Sequence, residues 1–352
     1  GHQKWVYQAV EDVGKVDLMF LDSDAVNSIS GDPTLADIDG DGRMEVMVGT
    51  DLGVLYVLSS EGKLRWKYKG PGPLRGAVLA ADIERDGKVE LIFGSDRHVV
   101  CISAEGKELW SYDVQTDVLA RPVWVASSSL IVLGTGDGGV HAFSAQGKKV
   151  WTFKATDKVS AEPIVAKDVD GKEYIIVGSM DNALYCLDLN GNLIWQHDAT
   201  GSICSRTFVA DIDKDGRPEI VFGACDNGVH AITMQGDKEW MFETDFWVVA
   251  PVQVLDIDDD GELEVVAASY DHHVYVLDGR GKYVLDHIPG LSGVVHQAGH
   301  YADVLTQEPG ENTGNRIWMF DAQDIIVGSA ILERSVVITT KSGKIMRIVH
   351  QG

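Results

Sequence analysis

The residues best placed to do chemistry are carboxylates set two apart. Asp37, Asp39 and Asp41 precede Gly42, and Glu45 follows. Alternate side chains of such a loop turn into one concavity, and the glycine permits the sharp turn that closes it. Flexible sets of hard oxygen donors suit Ca²⁺ better than Mg²⁺, which prefers a strict octahedron and keeps its waters. The backbone carbonyl of Arg43 can add a further oxygen. The spacing returns at Asp211, Asp213, Asp215 and Glu219, with Arg217 in the carbonyl place, and at Asp256, Asp258, Asp260 and Glu264, with Glu262. A fourth copy reads Asp82, Glu84, Asp86 and Glu90 with Lys88, and carries the longer Glu84 at its second place. Asp-Gly pairs favour turns without any metal, but four copies at matched spacing point to calcium, up to four ions in a structural role. The shortened DVDGKE at 168–173 is read as empty. Four loaded loops would add +8 to a formal charge of −24 and leave −16.

These loops must be held by a repeat. The glycine that ends the second strand of each unit stands at Gly49, Gly94, Gly134, Gly178 and Gly223, with Ala268 in the same slot and then Gly328. A tryptophan keeps similar time at Trp66, Trp110, Trp151, Trp195 and Trp240, with Leu285 in the next slot. A period near 45 with four short strands per unit is the pattern of β-propeller blades. In the fifth unit strand a is read at 207–211, b at 219–224, c at 229–233 and d at 238–243. One blade cannot bury both faces of its sheet, so neighbours must stack. The fold class is therefore all-β, a single propeller over 1–352 of four-stranded antiparallel blades. Seven blades are counted, starting near 33, 78, 122, 163, 207, 252 and 298; six or eight also fit the spacing. The seventh carries a turn-rich insertion at Thr306–Asn315, and residues 1–32 are expected to help close the ring.

Strands alternate in direction, so the acidic loops, which join a to b, share one face with the c–d turns. The other face presents the entries to strand a: Asp32, Arg75, Arg121, Glu162, Arg206 and His296. This is a cationic group for so acidic a chain, and it reads either as an anion site gripped by arginine forks or as a belt of ion pairs between blades. Trp247, in a d–a connection, could stack on a ligand or a partner there. If Asp211 pairs with Pro218 across its hairpin, Cys204 and Cys225 face each other at the open end, as a disulfide or as two thiols. Cys101 and Cys186 lie in apolar strands and read as buried thiols.

Two families are resembled. ADIDGDGRMEV, ADIERDGKVEL, ADIDKDGRPEI and LDIDDDGELEV are similar to the calcium loops of FG-GAP repeats. GVHAFSAQGKKVW, ALYCLDLNGNLIW and GVHAITMQGDKEW resemble the repeats of PQQ-like propellers. The resemblance implies a propeller and bound calcium, but not one activity, because such folds serve as enzymes, scaffolds and adhesion modules.

Composition narrows the partners. Thirty basic against 54 acidic residues disfavour nucleic acid and anionic membranes. No apolar run approaches the ~20 residues of a membrane-spanning helix, and no signal peptide is visible. The expected function is a calcium-stabilised binding or protein-interaction scaffold that is secreted, periplasmic or on the cell surface, with a protein or an anionic carbohydrate as partner. The alternatives are a lyase-like enzyme on uronate-containing polymers and, more remotely, a quinone-dependent dehydrogenase. No nucleophile elbow, HExxH or phosphate loop is present.

Overall fold

The structure is a computed structural model that describes Tyr7 and residues 33–257, 260–281, 319–323, 326–332, 335–340 and 345–349. The described residues form seven antiparallel sheets, six of four strands and one of three. Four-stranded sheets run in the order a-b-c-d, each strand pairing with the next in sequence. The fifth is representative: Phe208–Ala210, Glu219–Ala224, Gly228–Thr233 and Lys238–Glu243. Its a–b register pairs Ala210 with Glu219 and Phe208 with Val221, which continues the expected pairing of Asp211 with Pro218.

Burial follows strand position. Strands b and c are apolar and buried on both faces, as in Glu90–Ser95 and Val54–Leu58. Strand d alternates, so Leu64–Lys69 and Glu108–Asp113 expose every second residue and form the outer edge. Buried side chains interlock between successive sheets. Met47, Leu55 and Val57 of the first pack with Leu91, Phe93 and Val100 of the second, and Val221 and Val229 of the fifth pack with Val265 and Tyr275 of the sixth.

The repeat tryptophans fasten one sheet to the next. Trp110 Nε1 donates to Ala145 O at 2.8 Å, Trp151 to Leu189 O at 3.0 Å, Trp195 to Met234 O at 2.9 Å and Trp240 to Gly279 O at 2.9 Å. Each acceptor lies in the c–d turn of the following sheet. Gly191, at φ +80°, closes one such turn beneath Trp151, where a Cβ would stand 2.6 Å from the indole. Glycine is thus required there twice, for its backbone and for its missing side chain. Tyr7 lies 5.9 Å from the ring of Tyr56, the pairing that Phe153 makes with Tyr185 and Phe242 with Tyr275.

The chain divides into two compact units, Gly1–Val165 with Tyr174–Asp181 and Tyr185–Ile194, and Ala166–Glu173 with Asn182–Leu184 and Trp195–Gly352. Sheets one to three lie in the first and five to seven in the second. Among the described residues no helix is long and apolar enough to cross a membrane.

The last two sheets differ from the spacing. Strand d of the sixth is Met319–Asp321, paired with His273–Leu277, not a segment around Leu285. The seventh sheet is Ile326–Leu332, Ser335–Thr340 and Ile345–Val349; the blade start expected near 298 lies outside the described residues. Ile326–Leu332 lies beside strand a of the sixth sheet, as strands a do elsewhere, so the Gly328 segment takes the place of a strand a rather than a strand b. The physical reason is that connection length is not constrained by the sheet. Residues between strands c and d can be many without disturbing the ladder, so strand d need not keep the period. In the sequence, Trp318-Met319-Phe320 repeats Trp240-Met241-Phe242, a signal that marks strand d despite the insertion.

Candidate functional site

The four acidic loops are built to one plan. The first Asp receives the amide of the glycine five residues on: Gly42 N to Asp37 at 2.8 Å, Gly87 N to Asp82 at 2.9 Å, Gly216 N to Asp211 at 3.0 Å and Gly261 N to Asp256 at 3.0 Å. The Asp before each glycine receives an amide two residues on, from Arg43, Lys88, Arg217 and Glu262 at 2.7 to 2.9 Å. The closing glutamate is buried and receives the amide of the isoleucine in the second place. Ile38 donates to Glu45 at 3.2 Å, Ile83 to Glu90 at 3.0 Å, Ile212 to Glu219 at 2.9 Å and Ile257 to Glu264 at 2.8 Å. Alternating acids and a turn glycine therefore fold each loop onto its own amides, with the glutamate anchored beneath. Asp258 lies outside the described residues.

The loops differ in what they leave over. Oxygens of Asp37, Asp39 and Asp41 converge within 4.8 Å of one another, as do those of Asp211, Asp213 and Glu219. Asp211 Oδ1 and Asp256 Oδ1 are sealed from solvent without a hydrogen-bond partner. Such oxygens fit a cation that completes them, since a buried acceptor without a partner is costly. The Gly42 amide, above all, holds the Asp37 carboxyl below its usual range. Burial, and after it the charges of Glu239, Asp213 and Asp211, push Glu219 up to about 7. Burial also raises Glu90.

Two residues absent from the sequence reading enter here. Arg65 Nη1 lies 2.6 Å from Asp39 and 3.1 Å from Glu45. Glu239 comes close enough to Asp213 and Asp215 that burial and their charge raise its own carboxyl. Both directly precede a repeat tryptophan, a slot whose changing charge is visible in the sequence.

On the other face, Arg75 pairs with Asp51 at 3.5 Å and Arg121 with Glu162 at 3.7 Å. Arg206 is exposed. Asp32 and His296 lie outside the described residues. The b–c turn aspartates are clasps: Asp181 accepts from Thr156 and Tyr185, and Asp226 accepts from Thr200 and His230. His230 stacks on Phe222, with centroids 4.8 Å apart, in the slot that Tyr185 fills elsewhere, so its contact with Asp226 belongs to the framework. Trp247 is 43% exposed and Phe246 44%, and their rings stack at 5.1 Å. Their backbone is fixed: Thr244 Oγ1 donates to Phe246 O at 2.6 Å, and Ser269 Oγ to the same carbonyl at 3.1 Å. Tyr270 N donates to Trp247 O at 2.9 Å.

Cys204 and Cys225 do meet, but as free thiols and not as a disulfide. Burial pushes Cys225 up to about 12 and raises Cys204. Neutral thiols are the form a sheltered hairpin end favours. Cys101, fully buried, is likewise pushed up to about 12.

Stacked four-stranded sheets with tryptophan fasteners define a β-propeller of PQQ-like repeats. The family model described as "Outer membrane protein assembly factor BamB" matches residues 31–135, 95–246 and 136–348, and the chain belongs to that family. No curated protein matches it. Among solved structures it is similar to BamB from Moraxella catarrhalis, at 17% identity and TM-score 0.63, over 94% of this chain and 85% of that one. It is also similar to BBS1N, solved in complex with ARL6DN, at 13% identity and TM-score 0.62, over 93% and 94%. The WD40 propeller domain of Doa1 follows at 13% identity and TM-score 0.55, over 92% and 93%. At these identities the likenesses establish the fold.

Proposed function

We propose that this protein is an extracytoplasmic β-propeller that acts as a protein-interaction scaffold and is stabilised by calcium in its FG-GAP-like loops. The observation that carries the scaffold reading is the Phe246–Trp247 pair. Two large aromatic side chains are exposed and stacked, on a connection whose carbonyls are pinned by three neighbours. Tryptophan is a frequent anchor of protein interfaces, and an anchor already held in place loses little freedom on binding. Membership of a family named for an assembly factor supports a protein partner.

The donor chemistry of the loops supports calcium. A bound ion supplies positive charge that neutralises the converging carboxylates and holds each a–b hairpin shut. Asp211 and Asp256 would hold it through their unpartnered oxygens, while Glu219 and Glu264 anchor the loop through the isoleucine amides. Sites of this kind fill where calcium is millimolar, outside the cytoplasm.

A photo-cross-linking amino acid placed at Asp245, with the aromatic pair intact, tests the scaffold reading in the protein's own cells. Discrete protein adducts that vanish when Phe246 and Trp247 are both changed to Ala are expected. Adducts unaffected by that double change, or none from the folded protein, would overturn it.

A further inference from the structure

The acidic loops are not electrostatically equal, and a β-bulge makes the difference. In the first, second, third and fifth sheets the register of strands c and d shifts next to the repeat tryptophan. Val57 pairs with Trp66 and Leu58 with Leu64, so Arg65 is the extra residue; Ala231 pairs with Trp240 and Ile232 with Lys238, so Glu239 is its counterpart. Leu109 and Val150 hold the same place in the second and third. A bulge re-aims the side chain it carries.

In the first blade the re-aimed side chain reaches the loop. One guanidinium nitrogen of Arg65 touches both Asp39 Oδ2, at 2.6 Å, and Glu45 Oε1, at 3.1 Å. Asp39 belongs to the converging carboxylates of the loop, and Glu45 is its buried anchor. The Glu45 side chain is 2% exposed, so its charge requires a partner, and Arg65 is that partner. Glu45 falls outside the converging set of Asp37, Asp39 and Asp41, whereas Glu219 stays within its own set. In the fifth blade the bulge carries a carboxylate, and Asp211 Oδ1 is buried without a partner. That loop's own lysine, Lys214, turns away to Glu262 at 2.7 Å.

We infer that Arg65 is the built-in cation of the first loop and keeps a metal ion out of it, while the fifth loop, with a carboxylate at the same bulge, has no such cation and takes an ion. The inference rests on the calcium reading above and narrows it: the residue at the bulge sets the first loop, which stays without an ion, apart from the fifth, which takes one. A divalent ion entering the first loop would have to displace a guanidinium that already bridges Asp39 and Glu45.

The experiment is calcium titration of the full chain by calorimetry, with the number of ions bound as the readout. Arg65→Gln should bind one ion more than the wild type. With Arg65 in place, Asp39→Ala should leave the number unchanged and Asp213→Ala should lower it by one. The Asp39→Ala arm keeps the idea testable if Arg65→Gln fails to fold. An unchanged number in Arg65→Gln, or an ion lost in Asp39→Ala, overturns this inference while the calcium reading stands. If neither the wild type nor Arg65→Gln takes up calcium, both fall together.

Discussion

Glu219 should make the metal-free protein less stable as pH rises. Its side chain is almost wholly buried. Burial, and then the nearby Glu239, Asp213 and Asp211, move its titration from an ordinary 4.5 to about 7. Below 4.5 both the folded and unfolded chains hold the proton and the group is neutral in its effect. Between 4.5 and 7 the unfolded chain releases its proton while the folded one retains it, so stability falls as pH rises and the loss is complete above 7. At 1.36 kcal/mol per pKa unit the loss is about 3 kcal/mol. For a cooperative chain of this length, with an unfolding entropy of about 2.1 cal/mol/K per residue, that corresponds to roughly 4 °C in Tm. Glu219→Gln isolates the effect, because the amide oxygen still accepts from Ile212 N but carries no charge. In chelator at pH 8 the Gln variant should melt above the wild type by about that amount, and near pH 4.5 the two should coincide. Millimolar calcium should reverse the order at pH 8 by raising the wild type more than the variant. The assay is calorimetry across the pH series. A Gln variant that melts below the wild type in chelator at pH 8, or a difference independent of pH, would refute the reasoning.

Two further outcomes follow from the framework. Gly191→Ala sets a side chain at φ +80° and 2.6 Å from the Trp151 ring. It should cost about 2–4 kcal/mol from backbone strain and a displaced indole hydrogen bond, read as a lower denaturant midpoint; an unchanged midpoint would sink the fastener role of Trp151. Mild oxidation should join Cys204 to Cys225 and leave Cys101 and Cys186 reduced by mass spectrometry, while native Cys225 resists alkylation at pH 8 because burial keeps it protonated. Rapid alkylation of Cys225, or no disulfide between the pair, would contradict the sheltered-thiol picture.

Much of the architecture was legible because its signals are local. The strands of the fifth blade, read from alternation and turn residues, match the observed ones within a residue or two. The hairpin register that places Cys204 near Cys225 followed from turn spacing alone. Where a connection escaped that local grammar the reading failed: strand d of the sixth sheet was sought at the Leu285 slot and stands at Met319–Asp321. The entry-face group was legible only as residue types. Arg75 and Arg121 each stand beside a carboxylate, a fact of side-chain placement that slot-counting does not contain.

The sequence by itself determined the repeat, the all-β class and the four acidic loops, because turn chemistry, strand alternation and carboxylate spacing act over a few residues. Only the tertiary structure decided how those loops differ. Arg65 meets Asp39 across an intervening pair of strands, and it does so because a one-residue shift beside Trp66 turns its side chain toward the loop. The same shift presents Glu239 in the fifth blade. Which charge stands over an acidic loop is therefore a property of sheet register, and register is set by the packing of whole strands rather than by the loop's own residues.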